Sequence, residues 1–497
     1  MRKENVSYWT KSSTFTQFPQ LSQDLQADVL VVGGGIAGIL AAYQLAKAGR
    51  EVTVLEGQRL AQVTTAGTTA KITAQHHLQY QDYIKQRGEK EARLFYESQC
   101  DGIEILRNLA DQYDIDCDME TLSSIQVTIG ESEKKIKKEY KAYQQLGING
   151  TLHEKDMGLP FETTMGLEMF DQAQFHPLKF LAAMVDVCVE LGVTFYEETM
   201  VKKIDGNTVE TENGMEVAFN QLICATHYPI ANLKHNLLLH LEIERSYIVA
   251  AKDYTPIPYA MFQVADMPER SLRHYITEDG IGLLIGGENH VAGAKDDVKL
   301  CYERLAYDAE HLFNAHDIAD QWSAQDMMTQ DKMPLIGRYS KSDDHIFIIT
   351  GFNKFGIATS AVGSVVLRDL LMGQPNKYEE LLQPGRIDTI GSQAKATAKK
   401  AVNAIRGQGK AIKDYRTDRE ALKEDEAGIF LHDGRFEAVY KDDEGTEHAV
   451  SPFCTHMGCV LSFNNGEKTW DCACHGSRFD CDGKVLHGPA SVDLKQQ

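Results

Sequence analysis

The segment DVLVVGGGIAGILAAYQLAKAGREVTVLE, residues 28–56, constrains the fold more than any other part of the chain. Val29 to Val32 form a short apolar run, as in a strand buried on both faces. Ile36 to Ala48 are rich in Ala and Leu, as in a helix, and Gly49 stops it. Val52 to Leu55 form a second apolar run, so strand, helix and strand make a βαβ unit within a parallel sheet. Gly33, Gly35 and Gly38 complete a G-x-G-x-x-G between the first strand and the helix. The first glycine permits a tight turn, the second lets backbone approach a pyrophosphate, and the third lets helix and strand pack closely. The helix N-terminus then offers its partial positive charge to the phosphates. Glu56 closes the second strand, where a carboxylate can accept from both ribose hydroxyls. The unit predicts a dinucleotide site and leaves FAD and NAD both open.

Farther along, residues 76–120 carry helical spacing with many charges, and Glu131 to Leu146 read as a solvated Lys/Glu/Gln-rich helix. Phe175, His176 and Pro177 open a helix that stops at Gly192 and leads into the strand VTFYEE. From Glu242 to about Gly287 apolar and polar residues alternate, which predicts an antiparallel sheet in a second, substrate-facing domain. His345 to Thr350 form another short strand, which runs through Gly351 and Gly356 into a helix, Ile357 to Met372. Residues 386–425 have the composition of a linker with a polar helix. Beyond Ala427, short strands with Asp-Gly turns at 433–434 and 482–483 predict a small all-β domain. The net charge of −21 argues against a nucleic-acid partner. No run approaches the roughly 18 to 20 apolar residues of a membrane helix, and the polar N-terminus lacks the apolar core of a signal peptide. A cytoplasmic protein with no membrane span is expected.

Two late segments, Asp331-Lys332-Met333-Pro334-Leu335-Ile336-Gly337 and TGFNKFGIATSAVGSVVLRDLL (residues 350–371), join the βαβ unit in a resemblance. Together they resemble the FAD-binding fold of the D-amino-acid oxidase and glycine oxidase superfamily, over roughly residues 25–385. The resemblance implies FAD, since through this late return such enzymes close the sheet and aim a helix N-terminus at the flavin. It also implies an α/β, glutathione-reductase-like FAD-binding domain built from about 25–80, 170–230 and 325–385. An α+β substrate domain with an antiparallel sheet, about 81–169 and 231–324, would be inserted into it, followed by a linker at 386–418 and the small domain at 419–497. By the same analogy Thr68, Thr69 and Lys71 contact the cofactor, and Val201 offers its backbone to the adenine. Gly351, Phe352, Gly356 and Ile357 belong to the flavin-facing return. Thr68 and Thr69 also read as loop caps, and His76 and His77 as packed histidines.

Of ten cysteines, Cys454, Cys459, Cys472, Cys474 and Cys481 lie near the end of the chain, and the clustering points to a metal or redox module. Cys100, Cys117, Cys188, Cys224 and Cys301 read as buried small hydrophobes. CTHMGC (454–459) and CACHGS (472–477) contain C-x-H and C-x-x-H, a donor set that alone would suit zinc as well as an iron–sulfur cluster. The double motif as a whole resembles the Rieske 2Fe-2S domains of cytochrome bc and b6f complexes. That resemblance implies Cys454 and Cys472 as thiolates on one iron and His456 and His475 as neutral imidazoles on the other. It also implies a Cys459–Cys474 disulfide bracing the two loops, an uncommon bond in the cytoplasm. Ser477 is expected to donate toward a cluster sulfur. Phe479 stands where high-potential members usually carry Tyr, which lowers the expected potential. Rieske oxygenases carry a 2-His-1-carboxylate domain after the cluster, whereas this sequence stops at Gln497, so that reading is set aside.

A flavin and a one-electron cluster in one chain imply an oxidoreductase that passes electrons singly to an external acceptor. By resemblance, the small substrate is an amine or amino acid oxidised at its C–N bond. An electron-transfer or redox-sensing protein without substrate turnover would carry the same motifs, as would a reductase running from an external donor through cluster to flavin. Amino-acid-oxidising relatives usually have an arginine shortly before D-x-x-P, but here the stretch reads WSAQDMMTQD, with Gln325 and Asp326. Lys354 replaces another arginine in the late return. Asp326 suits a cationic amine, while Lys354, Arg245 or Arg273 remain available to clamp a carboxylate. Tyr247 and Tyr275, on predicted strands, join Asp326 and Lys354 as candidate catalytic residues.

Overall fold

The computed structural model describes residues 5–230, 237–295, 297–340, 344–389, 415–416 and 418–497. Val29 to Val32 are fully enclosed, as an uninterrupted apolar run requires, and their strand Leu25–Val32 lies inside the first sheet. Its main path runs Leu335–Arg338, Ile346–Thr350, Glu216–Cys224, Leu25–Val32, Val52–Leu55, Thr194–Tyr196. The last five strands of that path are mutually parallel, and Leu335–Arg338 is antiparallel to its neighbour. The helix Ile36–Lys47 packs on Gly356–Leu371 and Pro177–Glu190. His176 caps the last of these by accepting from Lys179 N (3.1 Å).

A second, nine-stranded sheet is antiparallel apart from the pair Glu120–Thr128 and Met261–Val264. One strand joins this sheet from the expected nucleotide part, and another runs across an expected domain boundary. Lys71–Ile72, placed by sequence with the nucleotide part, hydrogen-bonds to Met165–Gln174. Asp317–Thr329 runs unbroken through 324/325 along the whole of Leu241–Lys252. Cross-strand pairing is set over the full length of a strand, which segment bounds taken from a resemblance do not register. The helix Glu133–Leu146, expected to be solvated, buries Ile136, Glu139, Tyr143 and Leu146 on one face. Buried Glu139 accepts from Tyr80 N and Gln81 N, satisfying the N-terminus of the next helix, Tyr80–Arg87.

The C-terminal part is a three-stranded sheet, Glu426–His432, Arg435–Lys441 and Glu447–Val450, beside a four-stranded one running from Leu461 to His487. Asp433 and Gly434 both have positive φ at the first hairpin turn, the conformation that Asp-Gly favours. Of the expected 386–418 linker, residues 390–414 and 417 lie outside the described residues. Among the described residues no helix is long and apolar enough to cross a membrane.

Candidate flavin chamber and iron–sulfur centre

A cavity of about 510 Å³ lies where the two sheets and the C-terminal domain meet. Gly33 and Gly35 of the motif line one end. Gly33 has φ +110°, and a Cβ there would stand 2.6 Å from Ala225 O. A Cβ on Gly38 would stand 1.8 Å from Gly33 O, so the turn and the helix can approach only without side chains. Glu56 accepts from Gly34 N (2.7 Å) and Gln58 N (2.8 Å), and burial raises its pKa. Each carboxylate oxygen keeps acceptor capacity for a ribose hydroxyl. The helices Ile36–Lys47 and Gly356–Leu371 both begin at the chamber wall, giving it two positive dipole ends. The residues present thus fit a dinucleotide cofactor.

Thr68, Thr69, Lys71, Val201, Gly351, Phe352, Gly356 and Ile357 also line the chamber. Thr68 Oγ1 accepts from Ala70 N, so it caps its loop while facing the cavity. Lys71 Nζ donates to Phe262 O (2.7 Å), and burial, then Arg273, lowers its pKa to about 7. His77 lines the wall, and burial lowers it to about 3. His76 is packed instead, its ring stacked 3.9 Å from that of Phe355.

Of the candidate catalytic residues, Asp326 and Lys354 reach the chamber. Burial raises Asp326 to about 6, against the pull of Lys354 and with a push from Glu244. Lys354 is paired with Glu244 at 2.9 Å. Of the tyrosines, Tyr275 requires correction. Tyr275 lies away from the chamber, in the apolar core against Tyr8 (4.8 Å) and Trp9. Tyr247 borders the cavity, but its hydroxyl is engaged by His290 Nε2 (2.9 Å) and its ring packs on Tyr302. Aromatic side chains on a sheet between two layers fill the core by default.

The expected arginine clamps are also spoken for. Arg273 is buried and donates to the carbonyls of Thr69, Ala70, Phe175 and His274, tying the cofactor loop to the second sheet. Arg245 binds Asp471 of the C-terminal domain and donates to Gln325 Oε1 (2.7 Å). Gln325 Nε2 in turn meets Gly476 O (3.1 Å) and His487 Nδ1 (2.7 Å). Neighbours on a strand point to opposite faces, so Gln325 turns to the C-terminal domain while Asp326 turns to the chamber.

Cys454, His456, Cys472 and His475 come together on two facing loops. The Cys472 thiol lies within hydrogen-bonding reach of Cys454, which holds Cys454 below the usual thiol range, and the Ser477 hydroxyl also reaches Cys454. The rings of His456 and His475 are 4.9 Å apart. Both His456 ring nitrogens are buried without a hydrogen-bond partner among the described residues, although a buried imidazole ordinarily has one. Two adjacent sulfurs and two converging imidazoles fit the donor set of a Rieske cluster. Cys459 and Cys474 stand in disulfide contact behind them, their Cα atoms 6.6 Å apart. Phe479 is wholly buried beside this centre.

The family model for FAD-dependent oxidoreductases (DAO) matches residues 28–370, and that for the Rieske [2Fe-2S] domain matches residues 416–497. The chain belongs to the DAO family of FAD-dependent oxidoreductases. YhfW of Bacillus subtilis (strain 168), named as a Rieske 2Fe-2S iron-sulfur protein, is 35% identical over 99% of this chain and 97% of its own length. Gamma-glutamylputrescine oxidoreductase of Escherichia coli (strain K12) is 23% identical over 76% of this chain and 92% of its own. The crystal structure of L-proline dehydrogenase from P. horikoshii shares the fold, with a TM-score of 0.59 at 18% identity over 73% of this chain and 98% of that one. The DAO domain binds FAD and the Rieske domain a 2Fe-2S cluster.

Sequence reasoning missed the seam between these two centres. His456, Leu486, His487 and Pro489 of the Rieske domain line the same chamber as Gly33 of the DAO domain. His227 and Tyr228 meet them there, just past the strand Glu216–Cys224. Their place at the carboxyl end of a parallel strand, where open α/β sheets bind ligands, was the available signal. Asp471 and His487 offered none, because their partners are far away in sequence.

Proposed function

We propose that this protein oxidises the C–N bond of a small cationic amine or amino acid and sends the electrons singly to an external one-electron acceptor. Bound FAD supplies hydride acceptance from such a carbon, and a bound 2Fe-2S cluster with two imidazole ligands supplies one-electron transfer at about −150 to +300 mV. The observation that carries the reading is that His456, a candidate cluster ligand, belongs to the wall of the flavin chamber.

Asp326 holds the substrate ammonium. Above a pH of about 6 its carboxylate is ionised, and an ion pair in a water-poor cavity is worth more than one at the surface. Lys354 is balanced by Glu244, so a substrate carboxylate has to compete with that pair, and the three groups together leave one negative charge for an incoming cation. His77, lowered to about 3, is neutral near neutral pH, and Lys71, lowered to about 7, carries only part of its positive charge there. Oxidation leaves an imine, which water hydrolyses. The relatives named for gamma-glutamylputrescine and for L-proline act on amino compounds, which supports this substrate class. We further read Cys459 and Cys474 as a disulfide that braces the two ligand loops.

Anaerobic mixing of the holoprotein with a panel of amines and amino acids tests the reading. The expected result is bleaching of the flavin band followed by the EPR signal of a reduced Rieske centre. A flavin that no amino compound bleaches would overturn it in favour of a relay without substrate turnover.

A further inference from the structure

The Rieske domain sits with its imidazole-bearing edge turned inward. The ring of Tyr228 lies 5.6 Å from that of His475 and 6.1 Å from that of His456. Beside it, His227 stacks on His487 at 5.4 Å. Tyr228 is buried, and its hydroxyl and His227 Nε2 have no hydrogen-bond partner among the described residues. The Tyr228 ring thus meets both imidazoles by ring contact, while His227 packs beside it on His487. Both residues also line the chamber that the glycine motif opens into.

The surroundings hold this arrangement in place. Arg245 and Asp471 form a buried ion pair between the two domains, and Tyr302 donates to Glu467 at 2.7 Å. Burial opposes ionisation of Asp471, yet Arg245 and Arg478 hold its carboxyl far below the usual range. This buried network spans the seam and joins the second sheet to the C-terminal domain in the docked arrangement.

We propose that Tyr228, with His227 beside it, couples the flavin chamber to the cluster within one chain, and that the Rieske domain works docked rather than swinging to a partner. The inference rests on the reading that electrons pass from flavin to cluster. Removing one hydrogen from carbon and one from nitrogen turns R2CH–NH2 into R2C=NH, two protons and two electrons. The electrons reach the cluster one at a time, each taking one iron from Fe(III) to Fe(II), and an external one-electron acceptor reoxidises the cluster in between. The protons leave to solvent. Because imidazoles are neutral, an iron held by His456 and His475 would carry less negative ligand charge and be the easier one to reduce, and these two imidazoles are the candidate ligands that Tyr228 meets.

The test uses the holoprotein with its flavin reduced by light and EDTA, so that no substrate need be known. Cluster reduction is followed by absorbance and freeze-quench EPR over a range of protein concentrations, for wild type, Tyr228→Phe and Tyr228→Leu. The expected wild-type rate is first-order and independent of concentration. Tyr228→Phe keeps the ring and should restore transfer relative to Tyr228→Leu, and a Phe variant as slow as the Leu variant would overturn the assignment to the ring. Tyr228→Leu should slow it by about tenfold, with full FAD and iron content and with altered g values for the dithionite-reduced cluster. A rate proportional to protein concentration would overturn this inference and leave the oxidoreductase reading intact. So would a Leu variant with wild-type rate and spectrum. A wild-type cluster that stays oxidised beside reduced flavin would overturn the flavin-to-cluster reading and this inference with it. If Tyr228→Leu fails to hold its cofactors, the wild-type concentration series still decides between transfer within and between chains.

Discussion

The nucleotide end of the chamber and the docking face of the second sheet are both buried and both polar, yet they are built in different ways. At the nucleotide end the groups are mostly backbone, the glycine turn and two helix starts, with one side chain, the Glu56 carboxylate, held by Gly34 N and Gln58 N. At the docking face they are side chains from segments far apart, Arg245, Gln325, Asp471 and Glu467. Backbone donors are positioned by the fold of one short segment and lose little entropy on use. A side-chain network exists only once several segments have converged, and removing one member leaves a buried charge uncompensated. The first arrangement resists change everywhere except at its glycines, whereas the second is vulnerable at every member.

The sharpest break on the backbone side is Gly38→Ala. Its Cβ would stand 1.8 Å from Gly33 O, and neither helix nor turn can yield that much. The purified variant is expected to be free of FAD by absorbance, with the Rieske EPR signal retained; normal FAD content would mean that the turn is more compliant than described. On the side-chain side, Arg245→Leu removes the cross-domain cation from buried Asp471 and Glu467, at a cost of about 3–5 kcal/mol. Calorimetry should show a lowered transition for the Rieske domain, with FAD still bound, and an unchanged scan would reduce the network to incidental contact.

Asp326 sharpens the contrast, since it shares a strand with Gln325 but serves the chamber. A carboxyl raised to about 6 is protonated below that pH and charged above it, so kcat/KM for a cationic amine should rise with pH through about 6 and then level. Asp326→Asn should remove that inflection and lower kcat/KM by about 10- to 100-fold. A pH profile identical to wild type would take Asp326 out of the site. The smallest effect is expected from Tyr275→Phe. The hydroxyl is buried with no partner among the described residues, so its loss should leave activity unchanged and alter stability by no more than about 1 kcal/mol. A large fall in turnover would return Tyr275 to the chemistry.

Legibility followed the same division. The βαβ unit, the late return and the paired Cys/His loops are contiguous strings whose spacing carries their geometry, so Gly33, Gly35, Gly38, Glu56, Gly356, Cys454 and His475 are legible as candidates in the sequence. Arg245 and Arg273 were offered as clamps for a substrate carboxylate because composition shows a charge without its partner. The fold spends one on Asp471 and the other on backbone carbonyls. Tyr275 failed for a related reason: strand alternation separates the two faces of a strand but does not say which of them opens on a cavity.

What the sequence determined by itself was therefore the kind of each centre, a dinucleotide cradle and a two-Cys, two-His cluster site, because each is written within a few dozen residues. Only the tertiary structure decided that the two share one chamber, with Tyr228 between them and Arg245 fastening the seam. Hydrogen bonds, ring contacts and ion pairs between residues hundreds of positions apart depend on how two sheets and a β-domain pack, and no local spacing encodes that.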